Sequence, residues 1–321
     1  MSRLTGWRPV AAVLVAMALL VAACGDDDSG AEGGRIAEEI DLEGISLTVG
    51  SKDFTEQLVL GQLMVLGFQA AGADVTDKVD LGGTVVNREA LLSGDIDVYM
   101  EYNGTGWQVH LGRENPSFDP DQLTADVRAV DLEKNDIRWL GKSPFNDTYG
   151  FATGPDMTAA NGGPFTMQSM ADYLAANPDA TVCMESEFPS RTDGLVLFEE
   201  YTGYEVPDSQ QQILDTNIIY NETAEGRCAF GEIFTTDGRI AALEMSIVED
   251  PGVMIVYNVS LTMRDETYQQ APEQFEAFAD LLLEGLDEDT MAELNRRVSV
   301  EGEEAVDVAR EYLVEQGLIG G

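Results

Sequence analysis

Hydrophobic and polar residues alternate along the stretch from residue 96 to residue 101. Ile96, Val98 and Met100 fall on one side of the alternation, which is the period-2 pattern of a β-strand. A polar loop with glycines at positions 104 and 106 follows, and glycine permits backbone shapes that other residues resist. Ligands in open α/β sheets bind where strands end at their carboxyl edge. The pattern therefore predicts a strand that ends at a candidate binding site, although an ordinary turn leaving the core would have the same local sequence.

Strand and helix patterns alternate in two units, at residues 45–140 and 148–247. Such alternation favours mostly parallel sheets covered by helices. The first unit contains a helix at 55–71 that is apolar almost all round, which predicts that it is buried. Three amphipathic helices close the chain, at 272–284, 287–298 and 303–316. The pattern alone predicts two α/β domains.

The N-terminal residues 1–23 have the features of a bacterial signal peptide. Arg3 and Arg8 precede a small-apolar run that is too short to span a bilayer as a stable helix. The run ends in Val-Ala-Ala-Cys, which resembles a lipobox and predicts cleavage before Cys24, diacylation of its sulfur and retention on the outer side of the cell membrane. A plain secretory signal with a coincidental cysteine is the alternative. Residues 24–44 are predicted to form a flexible tether.

The charge balance argues against nucleic acid as a partner. Eighteen basic and fifty-nine acidic residues give a formal charge of −41, so phosphates would be repelled. The 321 residues are 44% hydrophobic, which suffices for a buried core in each of two domains. The composition is that of a globular protein.

Besides Cys24, two cysteines remain, Cys183 and Cys228, in an oxidising compartment. A disulfide between neighbouring strands is the simplest account of them, and two buried free thiols are the alternative. The chain has one histidine, His110, no cysteine pair with zinc spacing and no phosphate-binding loop. We therefore expect no metal site, no cofactor and no catalytic cysteine.

Four motifs in order give the chain a family resemblance: GSK at 50–52, LGGT at 81–84, EYNGT at 101–105 and TTDGRI at 235–240. From about residue 45 to its C-terminus the chain resembles the substrate-binding proteins of glycine betaine and choline-type osmoprotectant ABC transporters. The resemblance implies the bilobed α/β periplasmic-binding-protein fold (type II), with a ligand cleft between two lobes. It also implies that the chain crosses between the lobes twice, with lobe 1 at 45–147, lobe 2 at 148–247, and a return to lobe 1 at 248–321.

The same resemblance implies a cage of aromatic side chains around a methylated nitrogen. Matched motif by motif, the cage falls on Tyr102, Tyr149 and Tyr220, with a fourth position at Phe234 where the family often has tyrosine. Taken one by one, such rings more often pack in a core.

For the carboxylate of glycine betaine, the family pattern places partners at Lys52, Thr105 and Arg191. Lys52 precedes a helix N-terminus, where an anion is already favoured, and Arg191 starts a predicted helix and has a fork that fits a carboxylate. Surface ion pairs are the alternative for both, and Thr105 could equally be an N-cap.

The resemblance therefore predicts a monomeric, lipid-anchored solute-binding component of an ABC importer, which is not an enzyme. It would capture a quaternary-ammonium solute and deliver it to a membrane permease served by a separate ATPase subunit. Choline, carnitine or another small solute are rival ligands, although choline lacks the carboxylate that Lys52 and Arg191 would bind. An extracytoplasmic hydrolase on the same scaffold is the rival class, and the sequence offers it no nucleophile with an adjacent base.

Overall fold

A computed structural model describes residues 33–321 of the chain. The predicted signal peptide and the predicted lipidation site Cys24 lie outside the described residues. Within residues 33–321, no helix combines the length and the apolar composition that crossing a membrane requires.

Strands and helices alternate over most of this region. The strands are β1 (Ser46–Gly50), β2 (Asp74–Lys78), β3 (Val98–Tyr102), β4 (Ile137–Leu140), β5 (Tyr149–Thr153), β6 (Val182–Met184), β7 (Gln211–Ile213), β8 (Phe230–Phe234), β9 (Ser246–Ile247) and β10 (Val259–Arg264). The α-helices are α1 (Arg35–Glu39), α2 (Thr55–Ala70), α3 (Thr84–Ser93), α4 (Asn103–Thr105), α5 (Pro120–Asn135), α6 (Pro155–Asn161), α7 (Met167–Ala176), α8 (Leu195–Thr202), α9 (Thr216–Ala224), α10 (Arg239–Ala242), α11 (Asp265–Tyr268), α12 (Pro272–Leu283), α13 (Glu288–Ser299) and α14 (Ala305–Glu315). A π-helical turn spans Gly106–His110, and 3₁₀ turns span Phe188–Ser190 and Asp208–Gln210.

The strands form two five-stranded sheets, one in each lobe. Their orders are β2-β1-β3-β10-β4 and β7-β6-β8-β5-β9. Because β10 lies between β3 and β4, the first lobe is built from two separate stretches of chain. The core helix α2 is buried along most of its length, as its apolar sequence predicts.

In each sheet four strands run in one direction and one runs against them, so the expectation of mostly parallel sheets is confirmed. In the first sheet β10 runs antiparallel to β3 and β4, and in the second β5 runs antiparallel to β8 and β9. Both antiparallel strands are the first to enter their sheet after the chain has crossed from the other lobe. A strand that enters from the cleft side runs away from the cleft, whereas the parallel strands run toward it.

The segment after β3 is helical rather than an open loop. Neither Gly104 nor Gly106 has a positive φ, so backbone conformation does not require glycine at these positions. Close packing does. A β-carbon at Gly104 would lie 2.7 Å from Cε1 of Tyr257, and one at Gly106 would lie 2.5 Å from Cη2 of Trp139. Both positions therefore exclude larger side chains.

The predicted tether is folded in its last part. Helix α1 packs through Ile36, which is fully buried, and the backbone N–H groups of Arg35 and Ile36 donate to the carbonyls of Gly317 and Leu318. The expectation of a flexible tether as far as residue 44 is therefore wrong for residues 35–44. The backbone of this short segment is bonded to the C-terminal residues and, through Leu42, to Ala71 at the end of α2.

Cys183 and Cys228 are joined by a disulfide, with their Cα atoms 5.8 Å apart. Cys183 lies in β6, and Cys228 lies two residues before β8, its parallel neighbour. Both residues are buried. The bond therefore ties two adjacent segments of the second lobe.

Candidate functional site

A cavity of about 210 Å³ lies between the two lobes. Sheet register explains which side chains reach it. Tyr102, the last residue of β3, pairs with Val259 at the start of β10, and Phe234 at the end of β8 pairs with Tyr149 at the start of β5. The return strands therefore begin at the edge where the parallel strands end, which brings residues distant in sequence to one cleft.

Five aromatic rings line this cavity: Phe54, Tyr102, Tyr149, Phe234 and Tyr257. The ring centroids of Phe54 and Phe234 are 4.8 Å apart, and those of Tyr149 and Phe234 are 5.1 Å apart. Tyr257 meets Tyr149 edge to face at 5.5 Å and Tyr102 at 6.4 Å. The rings thus form a continuous aromatic wall, which we call the aromatic cage.

Three predicted cage residues, Tyr102, Tyr149 and Phe234, belong to this wall, but Tyr220 does not. The ring of Tyr220 is fully buried in the second lobe, with the guanidinium of Arg239 3.9 Å from its centroid. Its hydroxyl accepts a hydrogen bond from the backbone N–H of Phe234 at 2.9 Å. The predicted role of Tyr220 in the cage is therefore corrected: it supports Phe234 from behind.

The sequence analysis missed Phe54 and Tyr257. Phe54 stands two residues after Lys52, just beyond the first motif, so its position was a usable signal. Tyr257 lies in the return segment before β10 and carries no local signal, because only the sheet register brings it to the cleft.

Lys52 lines the cavity but is already paired. Its ammonium donates to Oε1 of Glu101 at 2.7 Å, with both side chains buried, and lies 5.0 Å from the centroid of the Tyr102 ring. Glu101 also contacts the imidazole of His110 at 2.8 Å. Burial opposes ionisation of Glu101, but the Lys52 charge and the His110 contact outweigh it and hold the pKa of Glu101 well below its usual range. The positive charge of Lys52 is thus matched by a fixed negative charge.

Arg191 is buried between the lobes and is not among the residues that line the cavity. It lies in a turn before α8 rather than at a helix start, and its Nε and Nη2 donate to the two carboxylate oxygens of Asp193 at 2.8 and 2.7 Å. It also donates to Thr84 at 3.2 Å and Thr105 at 3.3 Å, both on the first lobe, and to Glu187 at 3.4 Å. Arg191 was predicted to bind a ligand carboxylate, whereas in the structure it bridges the lobes.

Thr105 reaches the cavity and accepts the hydrogen bond from Arg191. It precedes the π-helical turn at Gly106–His110, but its side chain makes no capping hydrogen bond there. The N-cap alternative is therefore wrong, and Thr105 is a polar contact at the point where the lobes meet.

Acidic side chains dominate the charged lining of the cavity. Asp53, Glu185, Glu187 and Asp215 all border it. The Glu185 carboxylate accepts from the backbone N–H of Glu187 at 2.7 Å. Burial raises the pKa of Glu185, and the nearby Glu187 charge adds to the increase although that backbone hydrogen bond opposes it. The cavity therefore has a negative electrostatic character.

A buried carboxyl pair lies behind the cage. The hydroxyl of Thr236 is 2.6 Å from Oε2 of Glu56 and 2.7 Å from Oδ1 of Asp147, while Tyr102 donates to Oε1 of Glu56 at 2.8 Å. A hydroxyl carries one hydrogen, so one of its two short contacts requires a hydrogen from a carboxyl group. Burial raises the pKa of Glu56 and of Asp147, for which the Glu56 charge is a further cause. The pair therefore shares a proton.

Residues 45–315 match the OpuAC family model, described as the substrate binding domain of ABC-type glycine betaine transport systems. The chain belongs to this family. The predicted resemblance is thereby confirmed, and this member of the OpuAC family is a solute-binding protein rather than an enzyme.

Named relatives agree with the family assignment. The chain is 30% identical to the glycine betaine-binding protein YehZ of Escherichia coli over 279 residues, which are 84% of this chain and 90% of YehZ. It is 31% identical to a glycine-betaine-binding protein of Pseudomonas aeruginosa over 281 residues, 85% of this chain and 89% of that protein.

Solved structures support the fold class. The structure of apo YehZ superposes with a TM-score of 0.60 at 29% identity, covering 85% of this chain and 99% of YehZ. A structure of a glycine betaine/carnitine/choline ABC transporter superposes with a TM-score of 0.66 at 21% identity, covering 84% of this chain and 98% of the other. The predicted bilobed α/β fold of the type II periplasmic-binding class is confirmed.

Proposed function

We propose that this protein captures glycine betaine or a related quaternary-ammonium osmoprotectant in the aromatic cage and delivers it to the permease of an ABC importer. The observation that carries the proposal is the convergence of Phe54, Tyr102, Tyr149, Phe234 and Tyr257 on one cavity between the lobes. Choline and carnitine are the rival ligands on the same site.

The chemistry of the ligand explains why rings are suitable. A quaternary ammonium has no N–H to donate, so hydrogen-bond acceptors cannot recognise it directionally. The negative face of an aromatic ring attracts a desolvated cation by up to about 2 kcal/mol. Several rings around one small cavity supply that attraction from more than one side while excluding water.

Closure of the lobes completes the site. Arg191 on the second lobe donates to Thr84 and Thr105 on the first, and Tyr257 donates to the Asp193 carboxylate at 2.9 Å. These contacts can form only when the lobes are together, so they would favour the closed, ligand-enclosing state. The closed surface is what a permease would distinguish from the open one.

Location follows from the N-terminal sequence. The lipobox-like ending at Cys24 supports an extracytoplasmic protein anchored to the cell membrane by a lipid. We propose that it acts there as a monomer alongside the permease. Such an anchor would keep the binding site close to the transporter.

Calorimetric titration with glycine betaine, choline and carnitine tests the proposal, together with the variant Tyr149→Leu. Tyr102 and Tyr257 hydrogen-bond to Glu56 and Asp193, whereas Tyr149 meets a charged group only through its ring, 5.3 Å from the guanidinium of Arg191, so we choose Tyr149. Leucine keeps apolar bulk but removes the ring face, and binding should weaken by about 1–2 kcal/mol.

The matched control is Tyr201→Leu, which removes an exposed tyrosine outside the cavity and should leave affinity unchanged. The proposal fails if no quaternary ammonium binds the unmodified protein. It also fails if Tyr149→Leu and Tyr201→Leu bind equally well.

A further inference from the structure

We infer that capture of an organic cation in the aromatic cage expels into solvent the proton that Glu56 and Asp147 share. This inference rests on the proposed function, because it concerns how the same cavity responds when a ligand fills it. One carboxyl O–H bond breaks, its electron pair stays on the carboxylate, and the proton passes to water or buffer. The affinity for the cation therefore depends on pH.

The carboxyl pair adjoins the cage on two sides. Asp147 itself borders the cavity. Glu56 accepts a hydrogen bond at 2.8 Å from the hydroxyl of Tyr102, whose ring belongs to the cage. A cation held against the cage is therefore separated from either carboxyl group by no more than one aromatic side chain.

The pair has no basic partner of its own. Within residues 33–321 its side-chain hydrogen bonds are made to Thr236, Tyr102 and Asn295, which are all neutral. With one proton shared between two carboxyl groups, the pair keeps one negative charge that none of these partners balances. A cation in the cage would supply the missing positive charge.

The neighbouring charged groups are balanced among themselves. Lys52 pairs with Glu101 at 2.7 Å, and Arg239 donates to the two carboxylate oxygens of Asp237 at 2.9 and 2.5 Å. The titratable and charged side chains that face the pair come from the loop after β1, from β3, from α9 and from the turn after β8, while α13 presents the neutral amide of Asn295: Lys52, Tyr102, Tyr220, Asp237 and Arg239. Burial raises the pKa of both tyrosines well above the usual value, so neither titrates near neutral pH.

A bound cation acts on the pair in two opposite ways. Its positive charge favours the ionised carboxylates and lowers their pKa, whereas the water it displaces would raise that pKa. Glu56 and Asp147 are each only 3% exposed before any ligand enters, so little water remains to be lost from them. The charge effect is therefore the larger, and it opposes the burial that raises the pKa of both groups. Because binding releases a proton, the affinity rises with pH.

Calorimetric titration with glycine betaine, choline and carnitine, each in phosphate and in Tris at the same pH, counts the proton. The two buffers differ in ionisation enthalpy, so the difference between the observed binding enthalpies gives the number of protons released. The unmodified protein should release part of a proton at about pH 8, and its affinity should rise at least threefold between about pH 6 and about pH 9. No proton release and a constant affinity over this range overturn the inference and leave the proposed function standing.

The variant Glu56→Gln tests whether the proton comes from this pair. Glutamine has the shape of protonated Glu56, so the variant keeps one negative charge on Asp147 and has no shared proton to lose. Its gain in affinity between about pH 6 and about pH 9 should be less than half of that in the unmodified protein. Asp147→Asn removes the same proton from the other side and serves if Glu56→Gln does not fold. Glu200→Gln, which alters an exposed residue of α8 outside the cavity, should keep the full gain.

The comparison of variants separates the pair from other acidic groups of the cavity. Asp53 and Glu185 also border it, and burial raises the pKa of each, so a cation would shift them as well. Their contribution is common to the unmodified protein and the pair variants. An equal gain in all of them overturns the inference, because the proton would then come from the cavity wall. If none of the three ligands binds at any pH, the proposed function fails, and the inference fails with it.

Discussion

Replacing Glu56 by glutamine should flatten the dependence of stability on pH. Glu56 and Asp147 both contact the single hydroxyl of Thr236, so the folded protein holds one proton that an unfolded chain releases above the ordinary carboxyl pKa. In the variant Glu56→Gln the amide nitrogen can donate to Thr236, whose hydroxyl then donates to Asp147. The amide of Asn295, which donates to Oε2 of Glu56 at 3.0 Å, then turns to present its unpaired Oδ1. The amide oxygen of the glutamine can still accept from Tyr102. The shared proton is no longer needed.

The sign and size of the effect follow from proton linkage. The pKa of both carboxyl groups is raised in the folded state, so the stabilisation from the shared proton is fully present below the unfolded carboxyl pKa of about 4. It is lost as the pH rises through the raised pKa. One proton corresponds to a fall in the free energy of unfolding of about 1.4 kcal/mol per pH unit across that window.

Urea denaturation at a series of pH values from 4 upward measures this slope. Many surface carboxyl groups titrate in the same range, so the informative quantity is the difference in unfolding free energy between the unmodified protein and Glu56→Gln at each pH. That difference should change by up to about 1.4 kcal/mol per pH unit, whereas the exposed control Glu200→Gln should run parallel to the unmodified protein. Parallel profiles for Glu56→Gln would show that the pair does not share a proton.

Three further outcomes are expected. Reduction of the disulfide between Cys183 and Cys228 should lower the free energy of unfolding by about 2–4 kcal/mol in urea denaturation, and equal midpoints with and without reductant would contradict a linked pair. Mass spectrometry of membrane-extracted protein should show a lipid-modified Cys24, and Cys24→Ala should release the protein from the membrane; an unmodified Cys24 would exclude the anchor. Arg191→Ala should weaken the binding of choline and of glycine betaine by similar factors, because Arg191 is held by Asp193 and joins the lobes through Thr105 rather than touching the ligand. A selective loss of glycine betaine binding in calorimetry would contradict this.

The sequence determined the family, the fold class and much of the cleft. The family resemblance placed Lys52, Tyr102, Thr105, Tyr149 and Phe234 at one site, and the structure brings all of them to the cavity. This succeeds because a strand and the turn after it are set by local sequence, and because parallel strands end at a common edge.

The tertiary structure decided what each charged group does. Lys52 meets Glu101 from 49 residues away, and Arg191 reaches Thr105 across the cleft from 86 residues away. A motif specifies that a basic residue is present, but its free donors depend on partners that only the assembled sheets bring within hydrogen-bond distance. The sequence therefore could not reveal that both cations are already paired.

The tertiary structure also decided which rings face the cleft. Tyr220 lies on a short helix, where its ring packs under Phe234, while Tyr257 is brought to Tyr102 by the register of a strand that returns from the other lobe. Helical periodicity gives the face of a residue relative to its own helix axis but not the direction of the cleft. The direction is fixed by how the two lobes pack, since that packing depends on contacts between residues far apart in the chain.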